Sequence, residues 1–513
     1  MLYQLSYLAS RRFSVAPMRR ITMLLLAAAL CVVAGCGGGH DSSTNALDDA
    51  LGYFPKDAPF VAAVETDPNG DQVKQAMSLL GRFPGSQLLA ARLQNLAGIR
   101  FVDWSRDVKP QLGAPAVIGL EQPEAGKNIA VATIVALRVK HPLAVKQLLL
   151  RQPSVRGTSK SSGARIYEDP IQHRYAAVDG DVLVAGTNRD ILEHALALKR
   201  TDNRMRAGGF DRDFAGLPSD GLIRVSADPR ALIGVDPRLR PALGVKWLNA
   251  LRRLGLVVKM RSSGVTLDFH LASDKSSLTD GDLPLPVKTG PLPLIGGQDE
   301  VRVGIREPGR LAKLLTAVVD VVAPARAAQF KARQPRGIDL QQQLPHHLAS
   351  VAALAVNPFT RAFALRADLN DAAEVKAALG PLAPALPGLA ALLGVRGLGV
   401  GTPQPGESFY ALATPKGRTV VFGVVGNSLV AASDAKRAAH LPAQRAHTAR
   451  GGTGAAVMTL DARRLAATLL ARRLNGPAAV LAPLAVASLR DLTGALTINR
   501  SGLNGHFNLT IVK

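Results

Sequence analysis

The sequence predicts an α+β protein with two duplicated domains, each an antiparallel sheet covered by helices. Three observations lead to this prediction. Apolar and polar residues alternate along the candidate strands, which is typical of antiparallel strands with one covered face. Single helices interrupt groups of strands, without a regular βαβ order. Several segments of the first half of the chain recur, in the same order, in the second half.

The composition supports compact domains. The chain has 513 residues, of which 47% are hydrophobic and 4% aromatic. That length fits two to four domains at about 100–200 residues each. The hydrophobicity excludes a largely disordered protein, and the scarcity of aromatics leaves Ala, Leu and Val to fill the cores.

The formal net charge is +23. Such a surplus favours anionic surroundings, for example acidic envelope polymers or phospholipid head groups, although the codon bias of a GC-rich genome explains it equally well. Nucleic acid is not an expected partner, because single-strand binders interleave basic residues with stacking aromatics. The basic pairs are instead predicted on solvated helix faces: Arg252 and Arg253, Arg463 and Arg464, Arg472 and Arg473.

Residues 1–35 are predicted to be a signal peptide. Arg19 and Arg20 precede an apolar run over residues 21–33, which suits the core of a signal peptide. The run is too short for a membrane-spanning helix, which needs about 20 residues. Met1 and Met18 are both candidate start residues.

The segment Val33, Ala34, Gly35 and Cys36 resembles the lipobox of bacterial lipoproteins. The resemblance implies a cut before Cys36 and a diacylglyceryl thioether on that cysteine, which would place the protein at the cell envelope, outside the cytoplasm. Cys31 would be lost with the signal, so the mature chain would have no disulfide, cysteine-based zinc site or thiol nucleophile. A plain secretory signal or an uncleaved anchor is the alternative.

Residues 36–45 are rich in Gly and polar residues and are predicted to form a flexible tether. The first domain is predicted over residues 46–274, a Pro/Gly-rich linker over 275–289 and the second domain over 290–513. Because the linker is also fairly apolar, packing on a domain surface is an option for it.

Segments of the two predicted domains match in order. Residues 180–196 match 426–441, and residues 222–232 match 456–465, with Asp228 and Asp461 as helix N-caps. Residues 254–271 match 492–509, each as two strands joined at a Ser-Gly turn. A weaker match relates residues 101–120 to 337–356.

The clearest strand pattern lies at residues 265–271. Val265, Leu267, Phe269 and Leu271 fall on one side, and Thr266, Asp268 and His270 on the other. Helices with one apolar face are predicted to cover the sheets over residues 71–80, 143–150, 189–198, 309–322 and 372–379.

The lipobox, the strand region at residues 54–68 and the strand-cap-helix segment around Asp181 together resemble bacterial envelope proteins of the domain-of-unknown-function family numbered 3352. The resemblance would span most of the mature chain. It implies a fold and a location, and no activity.

The sequence contains no pattern typical of an active site. Ser161, Ser162 and Ser263 lie beside glycines but not in a G-x-S-x-G motif, which predicts hairpin turns. His346 and His347 are adjacent after Pro345 and are predicted in a solvated turn, not a metal site. His270 and His506 occupy near-equivalent strand positions, which suggests a shared role on an outer face, while a hydrogen-bonded or solvent-exposed histidine without such a role is the default interpretation.

The glycines of residues 394–401 have the wrong spacing for a nucleotide loop, and a strand or turn is predicted there. Asp57, Asp67, Asp228 and Asp461 all suit turns or helix caps. No cofactor, metal or catalytic residue is predicted.

We therefore expect a membrane-anchored, non-enzymatic envelope lipoprotein that binds an apolar ligand or an envelope partner. An envelope hydrolase whose site is assembled only by the fold, and a purely structural scaffold, are the alternatives.

Overall fold

A computed structural model describes residues 43–83, 104–121, 133–152, 154–170, 173–392, 399–401, 409–413, 419–441, 447–448, 453–473 and 486–512. In these residues the protein is α+β, with one open antiparallel sheet of 20 strands and a separate sheet of 2 strands. This confirms the predicted class.

The helices are α1 (Ser43–Leu51), α2 (Asp71–Leu80), α3 (Pro142–Leu150), α4 (Arg189–Leu198), α5 (Ala207–Asp211), α6 (Pro229–Val235), α7 (Lys246–Ala250), α8 (Pro308–Val322), α9 (Pro324–Ala332), α10 (Gln343–His347), α11 (Ala372–Leu382), α12 (Leu386–Leu392), α13 (Ala435–His440) and α14 (Ala462–Arg473). Each of the five predicted covering helices is present, with bounds that differ by a few residues at most. Helix α1 begins at Ser43, within the predicted tether.

The strands of the first half are β1 (Phe60–Val64), β2 (Ala116–Leu120), β3 (Thr133–Arg138), β4 (Arg156–Ser161), β5 (Ala164–Asp169), β6 (Arg174–Asp179), β7 (Val182–Gly186), β8 (Ile223–Ala227), β9 (Leu251–Arg261) and β10 (Gly264–Ser273). Their order in the sheet is β4-β5-β6-β7-β3-β2-β1-β8-β9-β10.

The remaining strands are β11 (Pro293–Leu294), β12 (Val301–Arg306), β13 (Leu348–Val356), β14 (Phe363–Leu369), β15 (Gly399–Gly401), β16 (Phe409–Ala413), β17 (Thr419–Val425), β18 (Ser428–Ala432), β19 (His447–Thr448), β20 (Ala456–Asp461), β21 (Leu489–Asn499) and β22 (Gly502–Ile511). The order in the large sheet is β15-β16-β17-β18-β14-β13-β12-β20-β21-β22. Strands β11 and β19 form the small sheet.

Strand β10 pairs with β22, and this pairing, which we call the seam, joins the two halves into one sheet. The sequence pattern instead predicts a sheet confined to each domain. The difference has a physical reason. Alternation fixes which side of a strand is apolar, but it does not determine which free strand edges meet.

Helices cover both sides of the first half of the sheet. Helices α1, α4 and α5 pack on one side, where Leu51, Leu196 and Phe210 join Val61 and Val184 in the largest buried cluster. Helices α2 and α3 pack on the other side. In the second half α13 packs on one side, and α9, α11 and α12 contribute to a second cluster.

Local signals place many of these elements. Asp228 accepts hydrogen bonds from the backbone N–H groups of Arg230 and Ala231 (2.9 and 3.0 Å) and caps α6. Asp461 accepts from Arg464 N–H (2.9 Å) at the start of α14. Both caps confirm the predicted roles, since a carboxylate there satisfies donors that the helix leaves free.

Two local predictions are wrong. Arg252 and Arg253 lie in β9, not on a helix, and the Arg253 guanidinium binds Asp213 (3.0 Å). His346 and His347 end α10 instead of forming a turn. His346 is exposed, as predicted, whereas the His347 side chain is only 16% exposed and lies 3.5 Å from Glu374. In each case tertiary packing overrides a short polar run.

Candidate functional site

The candidate site is an apolar surface on the four strands around the seam, β9, β10, β22 and β21. Directly paired residues of antiparallel strands share one side of a sheet, and successive residues alternate sides. The registers therefore place four residues of each strand on the same side, which we call the seam face.

The seam face forms four rows across the four strands. The rows are Met260, Val265, Leu509, Leu492; Val258, Leu267, Phe507, Gly494; Leu256, Phe269, Gly505, Leu496; and Leu254, Leu271, Leu503, Ile498. Every side chain on it is apolar. Strand spacing of about 4.8 Å and a rise of about 3.4 Å per residue give a surface of roughly 15 by 20 Å.

Two phenylalanines lie flat on the seam face. Phe269 is opposite Gly505, and Phe507 is opposite Gly494. A Cβ atom on either glycine would overlap the facing ring, so both rings occupy the space that a side chain would take. The two rings stack with centroids 6.3 Å apart and planes 16° from parallel. This arrangement makes the middle of the face smooth.

Packing covers two diagonally opposite corners of the seam face, and α6 and α14 also contact β9 and β21, respectively. At one corner, Met260 packs with Val73 of α2. At the other, Ile498 packs with Trp247 and Leu283, the latter from the predicted linker.

Apart from the buried Gly505, the rest of the seam face is half-buried. In the part of the chain that the structure describes, Leu254, Leu256, Val258, Val265, Leu267, Phe269, Leu492, Phe507 and Leu509 belong to none of the hydrophobic clusters. These side chains adjoin one another in the registers above and form a contiguous, half-buried apolar patch.

The opposite side of the seam is polar. The His506 Nδ1 atom lies 2.5 Å from Asp268 Oδ1, and the His270 Nδ1 atom lies 2.7 Å from Asn504 Oδ1. His270 and His506 thus lie on one side, away from the seam face, as the sequence predicts. Each is held by a partner across the seam, so both help to join the halves.

The predicted lipid-attachment residue Cys36 and the lipobox residues Val33, Ala34 and Gly35 lie outside the described residues, as do residues 394–398 of the glycine run. Gly399–Gly401 form β15, in line with the prediction of a strand or turn.

The serines considered as nucleophiles lie at hairpins, as predicted. Ser161 ends β4 and Ser162 follows it with φ of 49°, while Ser263 lies between β9 and β10. Asp67 accepts from Asn69 N–H (3.0 Å), which is a turn contact. These residues have local structural roles.

Within the described ranges, no three His, Cys, Asp or Glu side chains gather in a way that would hold a metal ion. In the same ranges, no helix combines the length and apolar character needed to cross a bilayer. The seam face can bind a ligand through dispersion forces and the removal of apolar surface from water. Its side chains include no acid, base or nucleophile.

Sequence reasoning identified the apolar side of β10 but not the seam face. The alternation of apolar and polar residues at 265–271 indicated the apolar side of this strand. What was missing was the pairing of β10 with a strand more than two hundred residues away.

Comparisons with known proteins give little further information. The sequence matches no protein-family model, and no curated protein matches it. Among solved structures, the chain is similar to three titled "Structure of crystal form III of TP0453", "Structure of crystal form I of TP0453" and "Structure of crystal form IV of TP0453". The identities are 10%, 12% and 11%, with TM-scores of 0.25, 0.26 and 0.24. Each match covers 45% of this chain. The matches cover 82%, 81% and 83% of the three solved chains, in the same order.

Proposed function

We propose that the protein is a non-enzymatic envelope lipoprotein, anchored through Cys36, that binds the alkyl chains of an apolar ligand on the seam face. The observation that carries the proposal is the seam face itself, which is apolar at every side chain and half-buried. Burial of apolar surface by a ligand contributes about 25 cal/mol of favourable free energy per Å². A ligand without hydrogen-bonding groups suits a surface that has none.

We also propose that the two halves of the chain arose by duplication of one domain, and that the protein is related to the family that its sequence resembles. The order of strand pairings supports the duplication. In the first half β1 pairs with β2 and β8, and in the second half β12 pairs with β13 and β20. The remaining strands follow in matching order on either side, ending in the long hairpins β9–β10 and β21–β22. The seam face combines the two matching hairpins.

Ligand binding is tested with the full chain carrying Cys36→Ser, so that acyl groups on that cysteine do not compete. We expect solvent extraction of the purified protein to release lipid, and a fluorescent fatty acid to bind. The double substitution Val258→Thr and Val265→Thr keeps the side-chain shape and adds two hydroxyls to the seam face. Each unpaired hydroxyl costs about 1–3 kcal/mol in an apolar contact, so binding should weaken about tenfold or more.

The matched control is Val287→Thr, at a 47% exposed valine outside the seam strands, which should bind like the parent. A parent protein that yields no lipid and binds no acyl probe would contradict the proposal and favour a scaffold.

Anchoring is tested separately. The Cys36→Ser chain should leave the membrane fraction and lack the mass of a diacylglyceryl group at its N-terminus. Equally firm membrane association and identical processing of the variant would contradict the anchor, whatever the outcome of the ligand experiments.

A further inference from the structure

A cleft of about 440 Å³ lies at the corner of the seam face where Ile498 is covered. Helix α8 forms one wall. Residues 244–247, which include the start of α7, and residues 281–283 of the predicted linker form the other. The volume falls in the range of about 300–1,000 Å³ that is typical of small-molecule sites.

One stripe of α8 lines the cleft. Arg310, Lys313, Leu314, Ala317 and Val321 recur at helical spacing and therefore share a face of the helix. The cations lie toward the N-terminus of α8 and the apolar residues toward its C-terminus. The wall is therefore cationic at one end, while at the other end Asp320 lies among apolar residues.

The apolar part of the cleft is continuous with the seam face. Leu314 of α8, Trp247 and Leu283 belong to the same hydrophobic cluster as Leu496 and Ile498 of β21. Trp247, Leu283 and Ile498 are buried. The half-buried members of the cluster, Leu314 at the cleft and Leu496 on the seam face, are the apolar side chains that an alkyl chain could contact.

The charges at the cationic end leave one positive charge in surplus. Lys246 Nζ binds Asp282 (2.6 Å), and Arg310 Nε binds Glu307 (2.6 Å). The contacts with Lys246 and Thr279 lower the pKa of Asp282 to about 2, so this carboxylate is ionised and balances Lys246.

Lys313 is exposed and makes no ion pair with an acidic side chain among the residues described. It lies in the second turn of α8. Asp320 lies at the apolar end of the stripe and accepts a hydrogen bond from Gln341 Nε2 (3.3 Å). With Glu307 and Asp320 counted, the charges around the cleft sum to zero, and Lys313 is the cation of the cleft that has no acidic partner among the described residues. A ligand with one negative charge would pair with Lys313.

We infer that the cleft binds the phosphodiester head group of an anionic phospholipid, whose two acyl chains extend onto the seam face. The inference rests on the proposed function and specifies its ligand class. A phosphodiester carries the single negative charge that Lys313 would balance. The seam face spans four strands and is wider than one alkyl chain, which favours a diacyl lipid over a fatty acid.

The test uses phosphatidylglycerol and phosphatidylcholine with the same fluorescent acyl chain, titrated into the full chain carrying Cys36→Ser. We expect phosphatidylglycerol to bind about fivefold more tightly, since an exposed ion pair contributes up to about that factor. Lys313→Gln should remove this preference and leave phosphatidylcholine binding unchanged. In 1 M salt, where the screening length is about 3 Å, the preference should shrink.

The matched control is Lys436→Gln, an exposed lysine on α13, which should keep the parent's preference. Equal binding of both lipids by the parent, with no effect of Lys313→Gln, would overturn the head-group inference and leave the proposed function standing. Displacement of the lipid by inorganic phosphate at matching concentrations would also overturn it, because a free anion would then be the ligand. Binding of neither lipid would overturn the proposed function as well.

Discussion

Two glycines of the seam face matter because of the side chain they lack. Gly494 and Gly505 each lie directly opposite a phenylalanine, and the aromatic ring covers the glycine backbone. Glycine usually weakens a strand because it has no side chain to pack. Here the ring of the neighbouring strand fills that space, so the cost is offset and the surface stays smooth.

The first prediction concerns Gly494. Gly494→Ala places a Cβ atom inside the space of the Phe507 ring, which must rotate away from the sheet. Overpacking of this kind costs about 1–3 kcal/mol, and we expect the free energy of unfolding in urea to fall by that amount.

Gly208→Ala is the control, because nothing lies within 4 Å of a Cβ atom there. Equal stability of Gly494→Ala and the parent would show that Phe507 does not lie over Gly494.

The second prediction concerns pH and Asp282. The pKa of its carboxyl falls from 3.8 to about 2 in the folded protein, because Lys246 and Thr279 bind the ionised form. A folded pKa below the unfolded one adds stability above about pH 4, and this stability is lost as the pH falls from there toward 2. The Tm difference between the parent and Asp282→Asn should therefore be largest at pH 7 and smaller at pH 3.

Asp202→Asn serves as the reference, since the side chain of Asp202 is fully exposed. A Tm difference for Asp282→Asn that stayed constant from pH 7 to pH 3 would contradict the shifted pKa.

At the scale of elements, helices and hairpins with local signals were predictable. The cap residues Asp228 and Asp461 indicate the starts of α6 and α14, and the Ser-Gly pairs indicate the turns of the two long hairpins. Each signal acts within a few residues, so the sequence alone contains it. Arg252 and Arg253 were placed wrongly because their position depends on β8 and β10, the distant partners of β9.

The third prediction tests a cap that the sequence analysis did not single out. Asp371 accepts a hydrogen bond from Glu374 N–H (2.8 Å) at the start of α11. Asp371→Ala should lower the free energy of unfolding by about 1 kcal/mol, and Asp371→Ser should restore most of it, because a hydroxyl also caps. The measurement is urea unfolding followed by circular dichroism.

Lys376→Ala, in the exposed middle of the same helix, should change stability by much less. A loss as large for Lys376→Ala as for Asp371→Ala would assign the effect to the helix in general and not to its cap.

At the scale of the whole molecule, the seam relates the two long hairpins symmetrically. Asp268 and His506 pair with each other, and each lies four residues after the glycine that begins its strand, Gly264 or Gly502. Equivalent positions thus meet at the centre of the seam, as they do at a two-fold axis. The sequence could not reveal this, because the free edge of β10 offers the same backbone groups to any strand.

The fourth prediction tests the register of the seam. In a chain without its native cysteines, Asp268→Cys and His506→Cys introduce thiols at directly paired positions. Such positions have Cβ atoms about 4.5–5.5 Å apart, close enough for a disulfide after a small adjustment. We expect mild oxidation to link them, and the count of free thiols to fall accordingly.

The pair Asp268→Cys and Phe507→Cys is the control, since Phe507 lies on the other side of the sheet and its thiol should stay free. Cross-linking of the control pair with the same efficiency would show a register shifted by one residue.

The seam also has a consequence for synthesis on the ribosome. His506 lies 238 residues after its partner Asp268, so β10 leaves the ribosome long before β22 exists. At a synthesis rate of about 5–20 residues per second, β10 has an unpaired edge and one apolar side for tens of seconds. Such an edge readily recruits the wrong strand. Premature termination before β22 would leave that edge permanently exposed, so nonsense mutations in the last part of the gene should yield aggregates and not a working half-molecule.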